Sequence, residues 1–140
     1  MPLIAAGAVV LEQGLCRPGW VETSGRQIAG CGSGAPPRAA DVDMPEALVV
    51  PGFVDIHVHG GGGVSYFDGD DADIRRAAMF HRRHGTTTTL ASTVTASPAD
   101  LHTAVRALAD ATGAGVVAGI HLEGPWLSAV HCGAHDPRQL

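Results

Sequence analysis

Short apolar stretches, separated by glycine, proline and arginine, run through the first fifty residues of the chain. None of them has the three- or four-residue spacing of a helix, and short strands divided by turns are typical of an all-β unit. The stretches predict strands within 4–11, 20–23, 28–31 and 48–50. The segment 32–38 contains Gly-Ala-Pro-Pro and is expected to be irregular. We therefore expect residues 1–50 to form the N-terminal part of a small β-sandwich.

From residue 51 onward the pattern changes to strands that alternate with helices. Ile74 and Ala77 share one face of a predicted helix, and Gly85 follows it as a terminating residue. The runs between the helices are rich in β-branched residues, which favour strands. The sequence predicts strands over 53–59, 86–95 and 116–123, with helices over 70–84 and 98–113.

The second of these helices carries both signals of a helix start, with Ser97 as the N-cap and Pro98 at the first helical position. Its apolar residues Leu101, Val105 and Leu108 fall on one face. We expect that face to pack against the sheet.

The order strand, helix, strand, helix, strand predicts a parallel sheet that is buried on both faces. A doubly wound sheet and a (β/α)8 barrel both begin in this way. In either architecture functional residues collect at the carboxyl ends of the strands. Here His57 and His59 end the first strand and Glu123 ends the third. The sequence therefore predicts an α/β unit over 51–140 with its functional site at that edge.

Composition narrows the classes of partner. The 140 residues carry a formal net charge of −5, and all nine basic residues are arginine. No basic stripe with interleaved aromatic residues is present, so we expect no nucleic-acid surface. The apolar runs are shorter than the ~18–20 residues that cross a bilayer, and no positive charge precedes the first run, so we expect neither a membrane span nor a signal peptide. Three cysteines without a Cys-x-x-Cys motif favour the reducing cytoplasm.

His57 and His59 are the first candidates for chemistry. They are two residues apart on a predicted strand, so their side chains share one face. Two imidazoles on one face can bind a divalent metal through neutral nitrogens. The glycine run 60–63 follows directly and either allows a close backbone approach to a ligand or simply connects the strand to the helix.

Glu123 is the third candidate, because a carboxylate at the end of an apolar strand is costly to bury without a partner or a metal. With His57 and His59 it would complete a site for zinc or another transition metal. A solvent-facing glutamate is the alternative. His121 alternates with Glu123 and shares its face, and we expect it to be a packed, hydrogen-bonded core histidine, with support of a metal ligand as the alternative.

Three motifs together resemble one family. Residues 51–60, Pro-Gly-Phe-Val-Asp-Ile-His-Val-His-Gly, resemble the first barrel strand of the amidohydrolase superfamily, and Gly-Thr-Thr-Thr-Thr at 85–89 resembles the second strand of one branch. His-Leu-Glu-Gly-Pro-Trp-Leu at 121–127, followed by Gly-Ala-His at 133–135, is similar to the N-acetylglucosamine-6-phosphate deacetylase family. The motifs stand in that family's order and spacing. The resemblance implies a (β/α)8 TIM barrel, of which this chain holds the first three strands, preceded by part of a β-sandwich.

The resemblance also implies a metal-dependent hydrolase that converts N-acetylglucosamine 6-phosphate into glucosamine 6-phosphate and acetate. Its metal ligands correspond to Glu123, which would hold the metal, and to His57 and His59, which would either hold a second ion or assist the first. Its sugar-contacting residues correspond to Ala134 and His135. The metal is expected to be zinc, with iron, manganese and cobalt as alternatives. The substrate is then a small amino-sugar phosphate, and the full-length form is expected to be a homodimer.

One segment departs from the family pattern. Many members have Lys-Lys-Gly where this chain has His-Cys-Gly at 131–133. The contribution of that loop to binding an anionic substrate is therefore left open. Cys132 is either an additional soft metal contact or, as we expect, an ordinary loop thiol.

The length of the chain leaves two hypotheses about the whole protein. A barrel of this class needs roughly 250 residues, and the family's catalytic Asp, two further His ligands and most phosphate-binding groups would follow later than Leu140. No catalytic residue is therefore assigned within 1–140. The chain is either the N-terminal part of a longer deacetylase or a truncated, inactive remnant of one. A third possibility, an amidohydrolase acting on cyclic amides, is disfavoured by Leu-Glu-Gly-Pro-Trp at 122–126.

Overall fold

Five β-strands form one sheet in the first unit of the chain, Met1–Pro51, in a computed structural model that describes residues 1–140. Strand β1 is central: β5 pairs with it in parallel, while β3 pairs antiparallel with its first half and β2 with its second half. Strand β4 continues the sheet beyond β3. The strands are β1 (Leu3–Leu11), β2 (Gly14–Cys16), β3 (Gly19–Ser24), β4 (Gln27–Ser33) and β5 (Val42–Val49).

Three boundaries in this unit differ from the sequence prediction. Strand β2 was not predicted, β4 extends into the segment expected to be irregular, and β5 begins at Val42 rather than near 48. The polar residues and proline of β5 hide its strand pattern, and pairing with β1 fixes it instead. At the register shift in this pairing a Cβ on Gly7 would lie 2.0 Å from the Pro45 carbonyl oxygen. Glycine is required there because the two backbones approach so closely.

The second unit, Gly52–Leu140, has the alternating order that the sequence predicts. Its three main strands are parallel and lie in the order β10-β9-β6, and a small antiparallel hairpin, β7–β8, lies between β6 and the first helix. No helix is both long and apolar enough to span a membrane. The elements are β6 (Phe53–Val58), β7 (Gly60–Gly61), β8 (Val64–Ser65), α1 (Asp71–Arg83), β9 (Thr86–Ser92), α2 (Pro98–Gly113), β10 (Gly119–His121) and a 3-10 turn (Pro137–Gln139).

Both helices begin at the residues that local chemistry indicates. The side chain of Asp70 accepts a hydrogen bond from the Asp73 amide, and that of Ser97 accepts one from the Asp100 amide. Each N-cap satisfies an amide that has no partner within its helix. Gly85, with φ +96°, ends the α1 region in a conformation that favours glycine.

The core of this unit joins the two helices to the sheet. Small side chains on both helices and on β9 allow close packing around Leu108. The prediction for α2 was partly wrong: Leu101 and Val105 are only half-buried, and Ala104 and Ala111 are buried with Leu108. The fully or nearly fully buried cluster is Tyr66, Ile74, Ala77, Ala91, Leu108, Ala111 and Val117.

The strands are shorter at their carboxyl ends than the sequence predicts. Strand β6 ends at Val58, β9 at Ser92 and β10 at His121, and β10 spans three residues rather than the whole of 116–123. Regular pairing stops at these ends, although the Thr93 amide still donates to the His121 carbonyl oxygen at 3.0 Å, and His59 and Glu123 lie on loops that follow strands. This arrangement frees their side chains to converge.

Candidate metal centre

Parallel pairing brings the candidate ligands to one edge of the sheet. His57 lies near the end of β6, His59 lies one residue beyond it, and Glu123 lies two residues beyond β10. Since β6 and β10 both run parallel to β9, their carboxyl ends meet at the same edge. Residues 66 positions apart in the chain are thereby placed in contact.

The three side chains present their ligand atoms to one another. The Nε2 atoms of His57 and His59 are 3.1 Å apart. Oε2 of Glu123 lies 3.0 Å from the first and 2.9 Å from the second. All three ligand atoms lie within 4.8 Å of one another, so His57, His59 and Glu123 are positioned for a metal site.

The donor set fits a divalent transition metal. Ligands about 2.0–2.1 Å from a tetrahedral zinc ion lie about 3.3 Å apart, slightly more than the separations between these three atoms. Nitrogen and carboxylate donors also suit iron, manganese and cobalt. The glutamate side chain is only 25% exposed, so its charge needs partners within the site.

The second oxygen of Glu123 faces His135. Nε2 of His135 lies 3.4 Å from Oε1, and its Nδ1 accepts a hydrogen bond from the Thr95 amide at 3.2 Å. Because Nδ1 accepts, the proton of the neutral ring is on Nε2 and points toward the carboxylate. His135 therefore orients Glu123 from the side opposite the histidine pair.

These contacts set the ionisation of the carboxylate. Burial raises the pKa of the Glu123 carboxyl. The hydrogen bonds and charges of His57 and His135 together lower that pKa by more than burial raises it, so it lies below the ordinary value. Glu123 is therefore ionised at neutral pH, as a metal ligand must be.

Ala134 and His135 border an open cavity of about 390 Å³ beside the cluster. Ala134 is exposed, whereas His135 is largely buried. A substrate-binding role for this pair stays a prediction. Also lining the cavity are His59, Val94, Thr95 and Asp136.

Cys132 lies outside the cluster. It is buried, and its thiol donates to the Ala129 carbonyl oxygen at 3.4 Å. The geometry is that of a thiol used within its own loop, which is the role the sequence favours.

Sequence reasoning missed Ser92 and left the role of His121 undecided. The ring of His121 packs against that of His57, with centroids 4.6 Å apart, and its Nδ1 lies 3.3 Å from Ser92 Oγ. The alternation of His121 with Glu123 was the only sequence signal for the contact between His121 and His57. Nothing in the sequence distinguishes Ser92 from other polar residues of the strand.

Comparison with known proteins agrees with this geometry. The sequence pattern of the Amidohydrolase family matches residues 48–137, which include all three ligand residues and His135. The chain belongs to the amidohydrolase family. The relatives of this amidohydrolase chain include the N-acetylgalactosamine-6-phosphate deacetylases of Escherichia coli O157:H7 and of Shewanella sp. (strain ANA-3). The E. coli protein is 33% identical, over a region that covers 88% of this chain and 34% of its own length. The Shewanella protein is 36% identical, over a region that covers 99% of this chain and 37% of its own length.

Solved structures give the same grouping for the amidohydrolase chain. It is 48% identical to the N-acetyl-D-glucosamine-6-phosphate deacetylase of Mycobacterium smegmatis, with a TM-score of 0.95 over 99% of this chain and 37% of that one. A mutant of that enzyme, solved in complex with N-acetyl-D-glucosamine-6-phosphate, gives a TM-score of 0.94. The chain thus has the α/β fold of part of these enzymes and spans about a third of the length of the curated relatives it matches.

Proposed function

We propose that the chain supplies the metal-binding edge of a hydrolase that removes acetate from N-acetylglucosamine 6-phosphate and leaves glucosamine 6-phosphate. The observation that carries this proposal is the convergence of His57, His59 and Glu123 beside His135. The names of the relatives supply the substrate class, an N-acetylated amino-sugar phosphate.

Each residue has a distinct part in this proposal. The imidazoles of His57 and His59 and Oε2 of Glu123 would hold a divalent ion, zinc in the first instance. Such an ion supplies Lewis-acid chemistry, polarising a carbonyl and making a nucleophilic water available at neutral pH. Oε1 of Glu123 stays bound to His135, which keeps the carboxylate in one orientation. Proton transfer to the departing amine is assigned to no residue of 1–140.

Substrate would enter from the cavity beside His135. The cavity is lined by His135, whose Nε2–H is directed to Glu123, and by Thr95, whose hydroxyl is buried without a hydrogen-bond partner. Ala134 has no bulky side chain, so a sugar ring can approach the loop backbone. We assign the sugar-binding role to Ala134 and His135 on this basis.

The finer architecture belongs to the same proposal. The parallel β10-β9-β6 sheet would form the first three strands of a (β/α)8 barrel, and the first unit would be part of a β-sandwich. The complete enzyme would act as a homodimer. It would be located in the cytoplasm, and the free state of Cys16, Cys31 and Cys132 supports this location only.

The galactosamine epimer is the second candidate substrate, because two relatives are named as N-acetylgalactosamine-6-phosphate deacetylases. Both substrates present the same acetamide, so the cluster serves either. Comparing kcat/KM for the two phosphates decides between them.

The test measures the bound metal and the rate of acetate release of the protein expressed from its whole gene. Glu123→Gln should lower kcat/KM at least about 100-fold, because the neutral amide is a poor ligand. His57→Ala with His59→Ala should lower the bound metal. His102→Ala, which changes an exposed histidine on α2, should leave both unchanged. Near-normal turnover in Glu123→Gln, or unchanged metal content without the two histidines, would contradict the proposal.

A further inference from the structure

Ser92, at the end of β9, contacts two groups that lie next to the metal cluster. Its hydroxyl oxygen accepts a hydrogen bond from the Val58 amide at 3.1 Å and lies 3.3 Å from Nδ1 of His121. The side chain is fully buried. A buried hydroxyl with two polar partners is fixed in orientation, because losing either partner leaves a polar group unsatisfied.

The contact with Val58 holds the backbone between the two histidine ligands. The pairing of β6 with β9 shifts register between Asp55 and Val58, so the regular ladder is interrupted around His57. Side chains take over at this point: Asp55 Oδ1 accepts from the His57 amide at 3.1 Å, and Ser92 accepts from the next amide. The direction in which His57 leaves the strand therefore depends on these two side chains.

The contact with His121 fixes that ring as well. The Ser92 hydroxyl accepts from the Val58 amide and still has a proton to donate to Nδ1 of His121 and a second lone pair to accept from an Nδ1–H, so the contact holds the ring in either tautomer. His121 packs against His57, with ring centroids 4.6 Å apart and 39° between the planes. His121 lies outside the group of three ligands.

We propose that Ser92 and His121 act together as a positioning pair that holds His57 in the orientation needed to bind a divalent transition metal. The inference rests on the proposed metal centre and adds two residues that do not touch the ion. Ser92 fixes the backbone of the ligand, and through its contact with Nδ1 of His121 it also fixes the ring that packs against the ligand.

The test measures zinc affinity by competition with a chromophoric chelator, using the protein as its gene expresses it. Ser92→Ala and His121→Phe should each weaken zinc binding about tenfold, the scale seen when partners of metal ligands are removed. The variant with both changes should bind zinc no more weakly than the weaker single variant, because the two residues act as one unit.

Thr93→Val is the matched control. Thr93 is also fully buried, but its hydroxyl has no hydrogen-bond partner, so its removal should change zinc affinity less than twofold. Thermal unfolding of the metal-free proteins, followed by circular dichroism, separates positioning from folding. We expect Ser92→Ala to unfold at a lower temperature than Thr93→Val, because it leaves the Val58 amide unsatisfied, but to be fully folded at the temperature of the zinc titration while binding zinc more weakly.

The outcomes separate this inference from the proposed function. If the unmodified protein binds zinc and both single variants bind it equally well, the positioning pair is wrong and the metal centre stands. Additive losses in the double variant would likewise overturn the pairing. If the unmodified protein binds no divalent metal, the metal centre and the pairing both fail.

Discussion

Tyr66 is the one tyrosine of the chain, and its side chain is fully buried while its hydroxyl has no hydrogen-bond partner. Burial raises the pKa of its phenol to about 12, and the charge of Asp55 contributes in the same direction. The phenol of an unfolded chain ionises near pH 10. Because the folded form resists ionisation, Tyr66 adds no pH dependence to the free energy of unfolding below about pH 10, and it lowers that free energy as the pH rises from 10 toward 12.

Tyr66→Phe should therefore remove part of the alkaline loss of stability. At pH 7 the free energy of unfolding should rise by about 1 kcal/mol, since a buried hydroxyl without a partner is removed. Near-ultraviolet absorbance of tyrosinate reports Tyr66 alone and should titrate near pH 12 in the folded protein. Titration near pH 10 without unfolding would show that the phenol is accessible, and the prediction would fail.

At this scale the sequence identifies side chains whose chemistry is unusual for their position. His57, His59 and Glu123 could be selected because they follow apolar strands. Ser92 and Tyr66 could not, because their importance arises from the register of β6 on β9 and from the packing around the hairpin. Hydrogen-bond partners from distant strands leave no local pattern.

The β7–β8 hairpin links the metal ligands to α1. It begins directly after His59, whose carbonyl oxygen accepts from the Tyr66 amide at 2.8 Å, and the Gly60 carbonyl lies 2.8 Å from Nε2 of His81 on α1. Gly60 has φ +152°, and a Cβ there would lie 2.1 Å from the Val64 carbonyl oxygen. Only glycine permits the two strands of the hairpin to approach in this way.

Gly60→Ala should therefore lower the free energy of unfolding by about 3 kcal/mol and weaken metal binding, because the chain after His59 must move. Gly63→Ala is the control: its φ is +85°, but a Cβ there would meet no atom within 4 Å. The control should cost about 1 kcal/mol and leave metal affinity unchanged. Chemical denaturation and chelator competition measure the two effects, and equal losses in both variants would contradict the role of the close contact.

The helices and the sequence of elements were predictable because caps and periodicity are local. The hairpin was not, since the glycine run 60–63 reads equally well as a connection or as a ligand contact. Its two short strands are defined by pairing with each other and by the contact with His81. The end of β9 was placed too late because the β-branched residues 93–95 continue past the point where pairing stops, and the end of β10 was placed too late because the apolar Leu122 extends the run.

At the scale of the whole molecule, the residues and order of the three motifs were sufficient to identify the family. The structure has two units, Met1–Pro51 and Gly52–Leu140, and their interpretation as parts of a sandwich and a barrel stays a prediction. The arrangement of five strands around β1 was not predictable, because its parallel pairing with β5 joins segments about 40 residues apart whose polarity patterns differ.

The second unit leaves one apolar edge exposed. Strand β6 ends the β10-β9-β6 sheet, and Phe53, Val54 and Ile56 on it are 56%, 64% and 64% exposed. An edge strand presents amides and carbonyls without partners, and apolar side chains add a driving force for association. We therefore expect the 140-residue chain to associate with itself as its concentration rises.

Replacing both Val54 and Ile56 by Lys should shift that association to at least about tenfold higher concentration, because charge on an edge strand opposes pairing with another chain. Met79→Lys is the matched control, since Met79 is 46% exposed but lies on α1, where no strand can be added. Sedimentation velocity over a concentration series measures both. Equal effects of the two changes would point to general apolar contact rather than the strand edge, and a monomer at every concentration would show that the exposed edge of β6 does not associate.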